Sequence, residues 1–412
     1  MKVLISHPTG NQNVRAAATG FAEADLIDVF HTSIATFSGD LLDHISAFGP
    51  LSELSRRRFD LKLKNLTKVW PWREVGRLIA TKAGMRKLIK HEVGPFCIDA
   101  VYQSLDRRVA SNLPGAAKRG ARAVYAYEDG ASFSFHVAKN LGLQCLYDLP
   151  IGYWRAAQRL MEIELEKWPD WASTLTSFHN SEKKLCRKDE ELRLADRIFV
   201  ASTFTAKTLQ EFPGVLAPIE VIPYGFPPIC TNRSYSANYG SKALKILFVG
   251  GLSQRKGIAN LFAAVETLGH HVELTIIGQR AATECAVLDA ALLRHKWYPS
   301  LPHNDVLKLM QLHDVLVFPS LFEGFGLVIT EAMSQGTPVI TTERTAGPDL
   351  IFNGQNGWLI EAGSTQALKA AIEELLSKPA VIPEVGMAAM DTARQRSWET
   401  YGRELALAVG GL

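Results

Sequence analysis

Cysteine is scarce in this 412-residue chain, which holds five, Cys97, Cys145, Cys186, Cys230 and Cys285, odd in number, widely scattered and without a CxxC pair. That usage excludes a disulfide framework and a Cys/His zinc quartet, and it suits reduced thiols in a cytosolic enzyme. No stretch approaches the roughly 20 apolar residues of a membrane span. "MKVLISHP" opens directly as a strand, without the basic flank, apolar run and cleavage site of a secretory leader. The expectation is a cytoplasmic protein whose contact with a membrane is at most peripheral, on the inner face. Other signatures are missing too. Without a DxD triplet or an HExxH pair, no metal site is expected. Without a GxGxxG run after a strand, an NAD-dependent dehydrogenase is excluded. Internal repeats of about 20 to 50 residues are absent, as are low-complexity tracts. His270 and His271 precede a strand and read as turn residues.

What is present is apolar content sufficient for two cores, 47% of a chain longer than one core normally serves. The net charge, 45 minus 42 or +3, is uninformative, but its distribution is not. Residues 56–90 hold twelve basic residues (Arg56, Arg57, Arg58, Lys62, Lys64, Lys68, Arg73, Arg77, Lys82, Arg86, Lys87 and Lys90) against Asp60 and Glu74, which is 12 minus 2 or +10. The remainder therefore sums to −7, and such a local basic face implies an anionic partner. Trp70 and Trp72 are too few for a base-stacking platform, which argues against nucleic acid. With Val75, Leu78, Ile79, Met85, Leu88 and Ile89 they fit instead a partly helical, interfacial segment at 69–90 on an anionic membrane, starting near Pro71 and weakened by Gly76 and Gly84.

Short apolar runs alternate with helical patterns, the rhythm of parallel α/β layers. Strands are expected at 2–6, 26–30, 123–127, 144–148, 197–201 and 220–224, then again at 245–250, 272–278, 314–320, 337–341 and 357–360. Between them, a stretch rich in Pro, Gly, Ser and Asn reads as a linker at 226–243. The organisation predicted is a domain at 1–225, the linker, a second domain at 244–390, and a C-terminal helix at 391–412 packing back on the first domain. Ligands of such α/β domains sit beyond the carboxyl ends of the strands, so the facing crevice is the expected site.

One stretch, "SLFEGFGLVITEAMSQGTPVI" at 320–340, places Glu331 among Leu327, Val328, Ile329, Ala332 and Met333. Burying a carboxylate costs several kcal/mol unless hydrogen-bond donors meet it. Glu323 precedes it in a loop where Gly324 and Gly326 let a ligand approach the backbone, and the helix that follows offers free amides to an oxygen-rich anionic group. Carboxylates of this kind accept paired hydrogen bonds from a vicinal diol, as sugars provide. The plainer alternative is that Glu331 favours the positive helix end and Glu323 is a solvated loop residue.

"FVGGLSQRKG", "VIPYGF" and above all "FPSLFEGFGLVITEAMSQGTPVI" resemble the retaining nucleotide-sugar glycosyltransferases of family 4, strongly over 195–365 and weakly before. The signature is two glutamates separated by seven residues with GFG after the first, matched by Glu323 and Glu331. The resemblance implies the B-type (GT-B) fold of two facing Rossmann-like domains, with the donor in the crevice between them. It also implies that Glu323 contacts donor-sugar hydroxyls, that the amides of Phe325, Gly326 and Leu327 line the sugar together with Gly324, and that Glu331 holds the ribose. Arg255 and Lys256, in the turn after "FVGG", would neutralise the departing diphosphate. Relatives commonly carry an arginine where this chain has Gly251, and Arg255 is expected to take over part of that charge. Gly10, in the first turn, would close over the donor phosphates.

On the acceptor side, relatives often place a histidine where this chain has Asp148; Glu128 and Asp129, ending the preceding strand, are rival candidates, and all three also fit ordinary turn residues. The reaction implied is transfer of a hexose-like sugar with retention, without metal or other cofactor, to a glycan or lipid-linked acceptor in surface polysaccharide or glycolipid synthesis. A soluble glycan or small-molecule acceptor is the alternative.

Overall fold

In the computed structural model, which describes residues 1–40, 57–175, 180–235, 242–281 and 284–411, the alternating pattern becomes two parallel sheets. The first domain contains β1 (Lys2–Ser6), β2 (Ile27–Thr32), β3 (Thr36–Phe37), β4 (Arg58–Phe59), β5 (Thr67–Val69), β6 (Ala121–Tyr127), β7 (Gln144–Leu149), β8 (Arg197–Val200) and β9 (Ile219–Val221). Seven of these run in the order β5-β2-β1-β6-β7-β8-β9, with β3 and β4 as a separate pair. The second domain contains β10 (Leu244–Val249), β11 (Val272–Ile277), β12 (Lys296–Tyr298), β13 (Val315–Phe318), β14 (Val339–Thr342) and β15 (Trp358–Ile360), ordered β12-β11-β10-β13-β14-β15. Buried on both faces by helices, the central strands are near-continuous apolar runs such as "VLI" and "VLVF", as parallel sheets require.

Each order reverses once, between β1 and β6 and between β10 and β13. The loops leaving β1, β10 and β13 therefore emerge where open α/β sheets bind ligands. These loops carry Gly10, Arg255 with Lys256, and Glu323.

Four strands went unforeseen. The pair β3 and β4 is two residues long on each side, β5 lies inside the basic segment, and β12 reads "KWY", with a lysine and no alternation. The strand expected at 220–224 ends at Val221, ahead of Pro223, which cannot donate to a ladder.

Two segments cross between the domains side by side, 222–227 and 395–398. Phe226 N donates to Arg396 O (2.8 Å), and the Arg396 guanidinium donates to Pro223 O. Residues 391–412 are not one helix: α5 (Val381–Arg394) ends inside that range and α6 (Trp398–Gly410) begins after the crossing. Helix α6 lies along α1 (Gln12–Glu23) of the first domain. A Cβ on Gly20 would sit 2.2 Å from Gly402 O, so the two helices approach only because both residues lack side chains. The remaining helices named below are α2 (Trp72–Lys82), α3 (Glu182–Leu194) and α4 (Leu327–Ser334).

Candidate functional site

The loop after β13 is built from within. Leu321 and Phe322 are buried, Leu321 N donates to Arg255 O (2.9 Å), and Glu323 N donates to Arg344 O (3.1 Å). Its two glycines have different duties. Gly326 has φ +89° and starts α4, a left-handed position that disfavours any side chain. Gly324 was expected to make room for a ligand, but its bare face meets the other domain: a Cβ there would lie 2.0 Å from Pro150 O. Its carbonyl accepts from Ser202 Oγ (2.5 Å) and Thr205 Oγ1 (3.0 Å), which pins the loop across the crevice. Phe325 is buried against Tyr224, with ring centroids 4.9 Å apart.

Glu323 meets the two cations of the β10 loop. The Lys256 ammonium contacts its carboxylate directly, and Arg255 Nη1 lies 3.5 Å away while donating to Phe322 O at 2.7 Å. Burial, then the Arg255 charge, pushes Lys256 well below the ordinary lysine range; the Glu323 carboxylate against it acts the other way. The turn depends on Gly257 (φ +69°), where a Cβ would strike Pro319 O at 2.1 Å. Gly251 is exposed with open space around it, so an arginine side chain would fit there.

Glu331, on the first turns of α4, stands on the wall of an interdomain cleft of about 870 Å³. Burial raises its pKa, opposed by His303, whose Nδ1 lies 3.8 Å from Oε1. Across the cleft stand Thr9, Gly10 and Asn11 of the β1 loop. Gly10 (φ +61°) packs against the Phe59 ring, and its amide and that of Thr9 donate to His7 Nδ1 (3.2 and 3.1 Å). Burial, reinforced by Arg57, lowers His7 to about 3, so that nitrogen accepts.

The acceptor-side carboxylates stand apart from this cleft. Asp148 is buried and its Oδ2 accepts from Tyr125 OH (2.6 Å); burial pushes it up to about 7. Glu128 and Asp129 belong to an ion network with α3: Lys188 reaches Glu128 (2.9 Å), and Arg187 (3.2 Å) and Lys184 (3.5 Å) reach Asp129. Burial raises Glu128. Burial also acts to raise Asp129, but the three surrounding cations outweigh it and the net direction is down. Among the described residues no group of three or more His, Cys, Asp or Glu forms a metal cluster.

Residues 234–396 match the family model for glycosyl transferases group 1. The chain is 27% identical to the glycogen synthase of Mycobacterium tuberculosis over 65% of its own length and 64% of that protein's, so it spans less than two thirds of this relative. It is 32% identical to the capsular polysaccharide biosynthesis glycosyltransferase CapM of Staphylococcus aureus over 34% of this chain and 38% of that one. The crystal structure of Anabaena HepE in complex with UDP superposes over the whole of both chains with a TM-score of 0.65 at 18% identity. The two facing Rossmann-like domains are thus a GT-B fold, as expected.

Within the matched residues 234–396, the structure gathers Arg255, Lys256 and Glu323 into one cluster and sets Leu327 and Glu331 on the cleft wall. Gly10 faces them from the first domain. Sequence reasoning missed His303 and Thr330 on the second domain's side and Arg15 on the other. It also took the basic segment as one outward face. Arg57, Arg77 and Lys82 instead line the cleft, while Lys62 pairs with Glu23 (2.6 Å) and Lys64 with Asp40 (2.6 Å). Arg56 lies outside the described residues. For Arg77 the signal was its phase on α2, three residues after Glu74; nothing local marked Arg57.

Proposed function

We propose that the protein is a glycosyltransferase that moves a hexose-like sugar from a nucleoside-diphosphate sugar, with retention and without a metal ion. The observation carrying this reading is the division of labour along residues 323–331: one glutamate held by two cations, the other standing on a cleft wall opposite a glycine turn. Glu331 reads the ribose diol, the amides of Phe325, Gly326 and Leu327 line the sugar, and Glu323 meets its hydroxyls. Arg255 and Lys256 take the charge that grows on the leaving diphosphate, a term usually large in such transfers. Retention follows from same-face attack, with the departing phosphate receiving the acceptor proton, so positioning and charge stabilisation are the protein's contributions. HepE, which shares the fold, was crystallised in complex with UDP, which supports a nucleotide-sugar donor.

The acceptor proposed is a glycan or a lipid-linked chain, met at an anionic membrane of the cytoplasmic side. The similarity to CapM supports this surface-polysaccharide setting. On α2, Trp72, Val75 and Ile79 are exposed (69%, 40% and 60%), an apolar ridge followed by the exposed Arg86, Lys87 and Lys90. Such a ridge with basic flanks suits reversible interfacial docking, each basic residue adding on the order of 1 kcal/mol near an anionic leaflet. The helix stops at Lys82, so Met85, Leu88 and Ile89 lie beyond it in turns, and Gly76 is needed because a Cβ would meet the Phe96 ring at 2.4 Å. A soluble acceptor is the second reading, favoured by the similarity to glycogen synthase. Among the described residues no helix is long and apolar enough to cross a membrane.

A thermal-shift screen of nucleotide sugars tests the reaction class. A ligand at 100 times its dissociation constant adds about 2.7 kcal/mol, and no shift with any nucleoside-diphosphate sugar sinks the proposal. Cosedimentation of wild type and a Trp72→Ser, Ile79→Ser variant with anionic vesicles separates the two acceptor readings: equal failure of both to pellet at low salt favours the soluble one.

A further inference from the structure

The helix Trp154–Lys167 of the first domain has one buried stripe, Ala156, Leu160, Met161 and Glu164. The first three share an apolar cluster with Leu321 and Phe322 of the loop after β13, across the domain boundary. The stripe's spacing calls for a fourth apolar residue, and an acid stands there instead, 3% exposed. Its Oε2 accepts from Gln254 Nε2 of the second domain (2.8 Å). That partner is a neutral amide, and burying a charge against a neutral donor is not how a fold gains stability. What the acid achieves is the placement of Gln254.

Gln254 opens the turn Gln254–Lys256, so it is joined directly to the first of the two cations. Every polar group of this wholly buried residue is engaged. Its Nε2 also donates to Asn260 Oδ1 (3.3 Å), its Oε1 accepts from Ala259 N (2.9 Å), its backbone amide donates to Thr174 Oγ1 (2.9 Å), and its carbonyl accepts from Gly257 N (2.8 Å). Turning the side-chain amide over would set its oxygen against the Glu164 carboxylate and its NH₂ against the Ala259 amide, so Glu164 fixes one orientation. Thr174, like Glu164, belongs to the first domain. The front of the turn is therefore held from the first domain, and its back by Gly257 against Pro319.

We infer that Glu164 is a positioning residue for sugar transfer: through Gln254 it fixes the turn that aims Arg255 and Lys256 at the departing diphosphate. The diphosphate rests on the glycosyltransferase reading, whereas the hold of Glu164 on the turn stands on the contacts themselves. A catalytic group displaced by about 1 Å can forfeit about a hundredfold in rate. The two cations are exposed to that loss because they act on a group whose charge grows only as the bond breaks. The second domain's charge-stabilising pair thus takes its aim from a residue of the first.

The test measures kcat and KM for hydrolysis of the nucleotide sugar that stabilises the protein most, together with amide hydrogen exchange, in full-length wild type, Glu164→Ala and Glu164→Gln. Glu164→Ala is expected to lower kcat by about 10- to 100-fold with a much smaller change in KM, and to speed exchange at Arg255, Lys256 and Gly257. Glu164→Gln keeps an oxygen for Gln254 to bond and should recover most of both. Should Glu164→Ala fail to fold, Gln254→Glu, which sets two carboxylates face to face, is read in its place, with recovery expected in the exchanged pair Glu164→Gln, Gln254→Glu. Unchanged kcat and exchange in Glu164→Ala overturn the inference. So does a Glu164→Gln variant as impaired as Glu164→Ala, since charge and not position would then matter. Exchange that rises evenly over both domains overturns it too, since Glu164 would then serve stability alone. If wild type hydrolyses no nucleotide sugar, the transferase reading fails, and exchange in the variants still decides whether Glu164 holds the turn.

Discussion

Apart from His303, the second domain's wall of the cleft draws its polar groups, Thr330 and Glu331, from one helix together with Leu327, next to the Glu323 cluster in the loop before it, whereas the first domain's wall gathers Gly10, Arg15, Arg57, Arg77 and Lys82 from three separated segments. The former wall offers acceptors and amides, the latter cations. A contiguous wall keeps its geometry as long as one loop folds, so its chemistry stays tied to a short motif. A wall assembled at a distance depends on the whole domain, and it can change ligand through single substitutions on separate elements. Such a contrast suits a protein whose shared co-substrate sits on one side and whose particular one sits on the other.

Behind the first domain's wall lies the largest expected effect. Asp148 is raised to about 7 by burial, so the folded protein keeps a proton that the unfolded chain releases near pH 4. The stability it contributes is full below about pH 4 and is lost as pH climbs through about 7. Urea unfolding across pH 4 to 8 should show Asp148→Asn gaining on wild type by up to about 4 kcal/mol, and a pH-independent difference would remove the buried-carboxyl account. Next comes Lys256→Ala, expected to lower turnover about 10²- to 10³-fold while sparing free nucleoside, as loss of a charge-stabilising group does. Equal losses for nucleoside and nucleoside diphosphate would place Lys256 away from the phosphates. Glu331→Ala should weaken nucleoside-diphosphate binding by about 10- to 150-fold, from the roughly 1.5 to 3 kcal/mol of a charged hydrogen bond. A folded variant that binds as wild type does would dissolve the ribose assignment and, with it, the contrast between the walls. The smallest effect is none: EDTA should leave turnover unchanged, and a loss restored by Mg²⁺ or Mn²⁺ would contradict the metal-free reading.

The difference between the walls also explains what could be read in advance. Strands such as 2–6 and 144–149 announce themselves because burial on both faces demands unbroken apolar runs, and the 323–331 constellation is legible because its parts are neighbours in sequence. Nothing local announces that Arg15, Arg57 and Lys82 share a surface, or that Asp148 turns toward Tyr125 away from the cleft; those facts come from strand order and domain closure. The basic segment was visible as charge, but charge alone does not say which way each side chain faces. Glu74, one of two acids in it, held the answer, since a lone buried carboxylate on a basic helix must sit between cations.

The double crossing near residues 222–227 and 395–398 has a consequence for how the protein is made. Helix α6 packs on α1, and its buried Tyr401, Leu405 and Val409 share a core with Val14, Ala17 and Phe21 but leave the ribosome after the whole second domain. Until then, Val14, Ala17 and Phe21 lack their covering helix. The first domain thus waits, unfinished, while the second folds as a unit, and its closure reports that synthesis has passed residue 410.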